Sequence, residues 1–321
     1  MGTTAIPGFM GPQHVSDSSQ GGKLSMYLGS KKDKYLTIVL FLAPAVGIFL
    51  IFKLAPILIS GYLSLLDWDI LRPFSSAEFI GFENYRNWIL GGELFVMLKH
   101  TLTYMILYIP WIIVLAVLEA SVLNQELGGL KLYKICFYLP VVSSWVAGAI
   151  IWGFVLNGKY GYLNQWLSLI GIEGPNWLED PFWAMPGVVL AALWKDTGFY
   201  ALIVLSALKS VDKNYYEAAT VDGAGAFTQF FKITIPLISP TLFLLIIFNV
   251  ISGFQIFEPV FIMTDGGPAN ATTVVVERIY RYAFRIYKMG YASALTWILF
   301  LLILFVTLIQ FRFEKKVNYD R

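Results

Sequence analysis

The sequence predicts an all-α membrane protein of six transmembrane helices, and three observations carry that expectation. Of its 321 residues, 57% are hydrophobic and only 14% charged, a balance foreign to a soluble chain of this length. The apolar residues fall into runs long enough to cross a bilayer, where only helices satisfy every backbone group in an open-ended chain. Lys and Arg gather in alternate connections, which orients the runs.

The elements follow in chain order. Residues 1–30 are rich in Gly and Ser, lack an apolar core, and read as a disordered cytoplasmic tail rather than a cleaved leader. Residues 31–313 form the membrane domain, and 314–321 a second cytoplasmic tail. Lys31, Lys32 and Lys34 hold the start of the first span, about Tyr35 to Leu66, on the cytoplasmic side. An external loop with Tyr85, Trp88 and Trp68 suits the headgroup layer. The second span, about His100 to Val122, returns the chain to Lys131 and Lys134, and the third, about Ile135 to Leu156, carries no charge. A Gly-, Trp- and Asn-rich loop precedes the fourth span, about Phe182 to Leu208. The fifth runs from Ile235 to about Thr264 and the sixth from Ala294 to Phe311, which leaves both termini in the cytoplasm. Before the last span, Arg278, Arg281, Arg285 and Lys288 recur at helical spacing, a basic stripe suited to lipid headgroups or to an external protein.

Between the fourth and fifth spans lies a polar island, residues 210–234. Tyr215 to Asp222 has the composition of two helical turns, Gly223 and Gly225 permit positive φ, and Ala226 to Thr234 forms a second short helix. Pro236 then opens a new span at a first-turn position that needs no amide donor. Ala218 and Ala219 allow another protein to approach closely, and Glu217 offers it a carboxylate. Three residues separate Ala219 from Gly223, nine separate Gly223 from Ile233, and Pro236 follows. This stretch resembles the "EAA" loop of permease subunits in binding-protein-dependent ABC importers. With Asp222 and Pro240 it looks like the carbohydrate branch, the maltose, lactose and glycerol-3-phosphate permeases, although Ile235 replaces the usual Leu.

Further residues fit the same branch. Thr264, Gly266, Gly267, Pro268 and Thr272, then Phe284 and Gly290 to Ala294, look like a second signature, and Gly161-Tyr162-Leu163-Asn164 with Trp177-Leu178 resembles an external loop. The resemblance covers roughly Lys34 to Phe313. It implies the type I importer core, multi-pass in a bacterial cell membrane, with the loop from Glu217 through Asp222 and Gly223 to Ile233 and Pro236 as a coupling helix. It also implies a second homologous permease, two ATPase subunits holding ATP and Mg, an external solute-binding protein, and a sugar or oligosaccharide moved by alternating access. The chain itself is expected to bind no cofactor, since no phosphate-binding GxxxxGK[ST] occurs.

Polar groups inside the spans suggest where substrate passes. Asn249, Ser252, Gly253 and Ile256 share one helical face, with Gln255 and Glu258 beside it, a pattern equally suited to a sugar site or to close helix packing. On the fourth span Asp196 and Phe199 share a face, and Lys195 is expected to form an ion pair with another helix. By resemblance these two faces correspond to the midplane substrate site of the maltose permease, with Asp196 in place of Gly and Phe199 in place of Tyr. An acidic sugar is disfavoured there unless Lys195 offsets Asp196.

Other classes fit less well. A secondary carrier needs midplane acids and usually an internal repeat, and none is visible. A membrane enzyme needs a compact His, Cys or carboxylate cluster, but His14 and His100 are far apart and Cys136 is alone, so no catalytic or metal site is expected. A net charge of +2 argues against nucleic acid as a partner. An ABC permease for a non-sugar solute remains the alternative.

Overall fold

The computed structural model describes residues 31–125 and 130–317, so the tail expected at 1–30 lies outside it. Among the described residues five helices are long and apolar enough to cross a membrane, six if one sharply bent pair is counted as a single span. The chain divides into two units, residues 1–59 and 60–321.

In the first unit, α1 (Lys31–Phe49) runs through a widened turn, Leu50–Leu54, into the start of α2 (Ala55–Leu63). Ala55 N donates five residues back, to Leu50 O. Pro56 explains the widening: it has no amide for the carbonyl four residues behind it, and its ring needs the space.

The second unit opens with β1 (Leu66–Asp67) paired antiparallel to β2 (Glu78–Phe79), Leu66 opposite Phe79, followed by α3 (Glu83–Leu90). Its centre is the packed pair α4 (Glu93–Leu123) and α8 (Ala184–Ser210). Ala116 and Ala120 on α4 and Ala191, Ala192 and Ala201 on α8 are fully buried. Small side chains let two helices approach closely where lipid supplies no hydrophobic drive between them.

The third span is not one straight helix. It is α5 (Leu130–Val142) and α6 (Trp145–Val155), bent by 104°. Ser144 adopts extended φ/ψ and its side chain accepts from Val146 N, so a new helix is capped there, just after Pro140. The external loop follows with α7 (Tyr162–Leu169), where Asn164 Nδ2 donates to Gly158 O and Pro175 O and its Oδ1 accepts from Trp177. Asn164 thus ties together the two halves of the loop pattern.

The fifth span also departs from expectation at both ends. α9 (Lys213–Val221) leads through a turn to α10 (Ala226–Gln229), which continues without a stop into α11 (Ile235–Phe254) through a second widened turn, Phe230–Thr234. Pro236 therefore widens an existing helix rather than starting one, as Pro56 does. At the other end the helix stops, Gln255 to Phe257 are irregular, and α12 (Glu258–Met263) follows. Pro259 accounts for the break, because a continuous helix would set its ring against the Gln255 carbonyl. The last elements are α13 (Val275–Tyr280), a widened turn at Arg281–Arg285, and α14 (Met289–Val317).

Each arginine of the basic stripe has a carboxylate partner: Arg278 Nε lies 3.2 Å from Glu93, Arg281 Nε 2.7 Å from Glu277, and Arg285 Nη1 2.8 Å from Asp265. Arg285 and Lys288 stay exposed, and the Lys288 backbone forms a β-bridge with that of Asp69. Trp88, expected at the headgroup layer, is instead fully buried, stacked on Tyr291 at 4.2 Å and donating to Tyr291 O. Beside it Tyr282 donates to Glu93, and burial followed by that carboxylate pushes its phenol above its ordinary pKa. Arg278 and Arg281 thus brace this region from within.

Candidate functional site

Two sites emerge, one at the polar loop and one at the break in the fifth span. In the loop, Asp212 Oδ1 caps α9 by accepting from Asn214 N at 3.0 Å. At the other end Ala224 N donates to Ala219 O at 2.8 Å and Gly223 N to Thr220 O at 3.0 Å. That pair of bonds is a Schellman motif, and Gly223 at φ +79° occupies its left-handed position. Gly225, expected to share the positive φ, has φ −70° because the turn is already complete.

Side chains then lock the loop to its own neck. Gln229 Nε2 donates to Thr220 Oγ1 and Ala224 O, and the Tyr216 and Thr234 hydroxyls lie 3.0 Å apart. The outer surface keeps Glu217, Ala218 and Asp222 exposed, while Ala219 and Ile233 are half-buried. Val221 and Phe227, at 88% and 78% exposure, are apolar groups left in the open among these acids. Such a surface, apolar at its tip with carboxylates alongside, has the makings of a protein contact.

The second site is a cavity of about 400 Å³ in the membrane half of the molecule. Tyr104 and Tyr108 come from α4, Trp145 from the start of α6, and Asp196 and Tyr200 from α8. The last turn of α11 contributes Ser252 and Gly253, the irregular segment after it Gln255, Ile256 and Phe257, and the start of α12 Glu258. Tyr108 donates to Asp196 Oδ2 at 2.9 Å and stacks on Tyr104 at 5.1 Å. The helix break therefore opens polar backbone and side chains onto a water-accessible wall.

The expected residues divide. Asp196, Ser252, Gly253, Gln255 and Ile256 line the cavity, whereas Asn249 and Phe199 do not. Asn249 is fully buried and its Nδ2 turns back on its own helix to Leu245 O. Phe199 remains 42% exposed outside the lining, and Tyr200, one full turn from Asp196, takes the place beside it. Gly253 serves both readings, since a Cβ there would lie 2.7 Å from Met105 Cγ on α4. Lys195 forms no ion pair among the described residues: its Nζ donates at 3.0 Å to both Pro140 O and Val141 O. Pro140 O is also held by Ser143, so the ammonium supplies the missing donor for Val141 O at the α5/α6 bend. Tyr104 and Tyr108 were missed from sequence; their signal is two phenols four residues apart in an apolar span.

Long apolar helices packed around a polar cavity, two of them joined by an exposed structured loop, are the arrangement of a membrane transport subunit. The chain belongs to the family described as binding-protein-dependent transport system inner membrane component, whose profile matches residues 92–319. It is 34% identical over 277 residues to Probable ABC transporter permease protein YesP of Bacillus subtilis, covering 85% of this chain and 88% of that one. It is 33% identical to the sn-glycerol-3-phosphate transport system permease protein UgpA of Pectobacterium atrosepticum, covering 78% and 85%. Among solved structures, a chain of a bacterial ABC transporter involved in the import of the acidic polysaccharide alginate matches with TM-score 0.76 and 25% identity, over 92% of this chain and 99% of that one.

Proposed function

We propose that this chain is one membrane-spanning half of an ATP-driven importer of a saccharide. A second homologous permease completes the pathway, an external solute-binding protein delivers substrate, and two ATPase subunits hold ATP and Mg. The observation that carries the proposal is the pairing of the loop with the cavity: α8 and α11, which bring Asp196 and Gly253 to the cavity, are the two helices that the loop joins. Both termini lie in the cytoplasm with the loop. Closure of the ATPases on ATP moves the loop, and the loop tilts the helices between outward-open and inward-open states.

Hydroxyls, amides and carboxylates on one wall with aromatic rings on the other suit a sugar, which has polar edges and apolar faces. The names of the relatives, drawn from sugar and sugar-phosphate transport, support the same class. To test the coupling role, Glu217→Lys and Gly223→Pro are introduced into the reconstituted complex. Uptake and substrate-stimulated ATP hydrolysis are expected to be lost in both, with membrane insertion intact; normal coupling in both variants rejects the role.

A further inference from the structure

We infer that the cavity is a charge filter: this half of the pathway passes neutral or ammonium-bearing saccharides and rejects those carrying acid groups. The inference rests on the transport role just proposed and names the substrate class for the same cavity. Two carboxylates face it, Asp196 from α8 and Glu258 from the start of α12. Glu258 acts on Asp196 as a like charge and Lys195 as an opposite one, so Glu258 is the carboxylate without a counter-charge among the described residues. Asp196 holds one hydrogen bond, from Tyr108. Glu258 is exposed on the cavity side and has no hydrogen bond or ion pair among the described residues.

Among the described residues no Lys, Arg or His lines the cavity. Lys195, next to Asp196 in sequence, is buried behind the lining, its ammonium held by the Pro140 and Val141 carbonyls. Turning it into the cavity would give up both bonds and leave Val141 O without that donor. Trp145, over which the Lys195 ammonium lies at 5.8 Å, presents a ring to the cavity, and Tyr104 and Tyr108 add further π-faces. Rings and carboxylates together attract a cation, stack on a neutral sugar, and repel an anion. Relatives are named for glycerol-3-phosphate and for acidic alginate, both anionic, so the filter sets this chain apart from the substrates those names state.

The test is equilibrium dialysis of three β-linked disaccharides of matched size against the complete importer in lipid nanodiscs. Cellobiose is the neutral probe, diglucosamine the cationic one, and a di-uronate the anionic one. The expected result is retention of the first two, with the di-uronate bound about tenfold more weakly or worse, the direction like-charge contact dictates. Asp196→Asn with Glu258→Gln, which preserve size, should close that gap for the di-uronate. A di-uronate bound as well as cellobiose, a gap unchanged in the double variant, or no probe retained would each overturn the filter. ATP hydrolysis stimulated by the solute-binding protein is followed in parallel. Stimulation retained without charge preference rejects the filter alone, whereas loss of stimulation in the unaltered complex rejects the importer role as well.

Discussion

At the scale of single residues, two glycines show why small side chains in a span have more than one meaning. A Cβ on Gly198 would meet the backbone oxygen of Phe137, and one on Gly253 would meet Met105 Cγ at 2.7 Å. Backbone cannot retreat, but a methionine can. Gly253→Leu is therefore expected to strain the α4/α11 contact by about 1–3 kcal/mol, lowering the melting temperature of the purified complex as well as uptake. Asn249→Ala, by contrast, removes an amide that bonds only its own helix. It should leave saccharide preference unchanged in side-by-side uptake of two sugars, and a shifted preference would return Asn249 to the cavity. The helical face containing Asn249 and Gly253 was legible in the sequence. Which end of it met the cavity was not, because that depends on where Pro259 breaks the helix.

At the scale of elements, the spans and the loop were readable, while their interruptions were not. Apolar runs and alternating cations mark a crossing but say nothing of a bend such as the one at Ser144, where a hydroxyl caps a new helix inside an apolar run. The arginine stripe was half legible for a related reason: helical spacing sets Glu277 one turn from Arg281, but it does not show the carboxylates that Glu93 and Asp265 bring from other parts of the chain. Glu277 is 1% exposed and Arg281 27%. Arg281→Met should leave that carboxylate buried without its partner, at a cost of about 3 kcal/mol, seen as a lower melting temperature and earlier proteolysis of the external face. Arg285→Gln removes only an exposed pair and should cost under about 1 kcal/mol. Equal losses in the two would mean that burial of Glu277 does not decide the outcome.

At the scale of the whole molecule, the bond between Tyr216 and Thr234 matters most. Tyr216 stands on α9, just after the end of α8, and Thr234 in the widened turn that runs into α11, so this contact ties the start of the loop to its end. Tyr216→Phe keeps the ring and deletes the hydroxyl, so amide hydrogen exchange across residues 217–233 is expected to rise about fivefold to tenfold, matching the loss of a bond worth about 1 kcal/mol. Unchanged exchange would show that Gln229 and the Schellman turn hold the loop alone. With the clasp closed, a push on the loop's tip cannot be spent in bending the loop. Under the coupling role proposed above, it would arrive at α8 and α11 as one torque on a stiff lever, and the two walls bearing Asp196 and Gly253 would swing as a pair instead of sliding past each other.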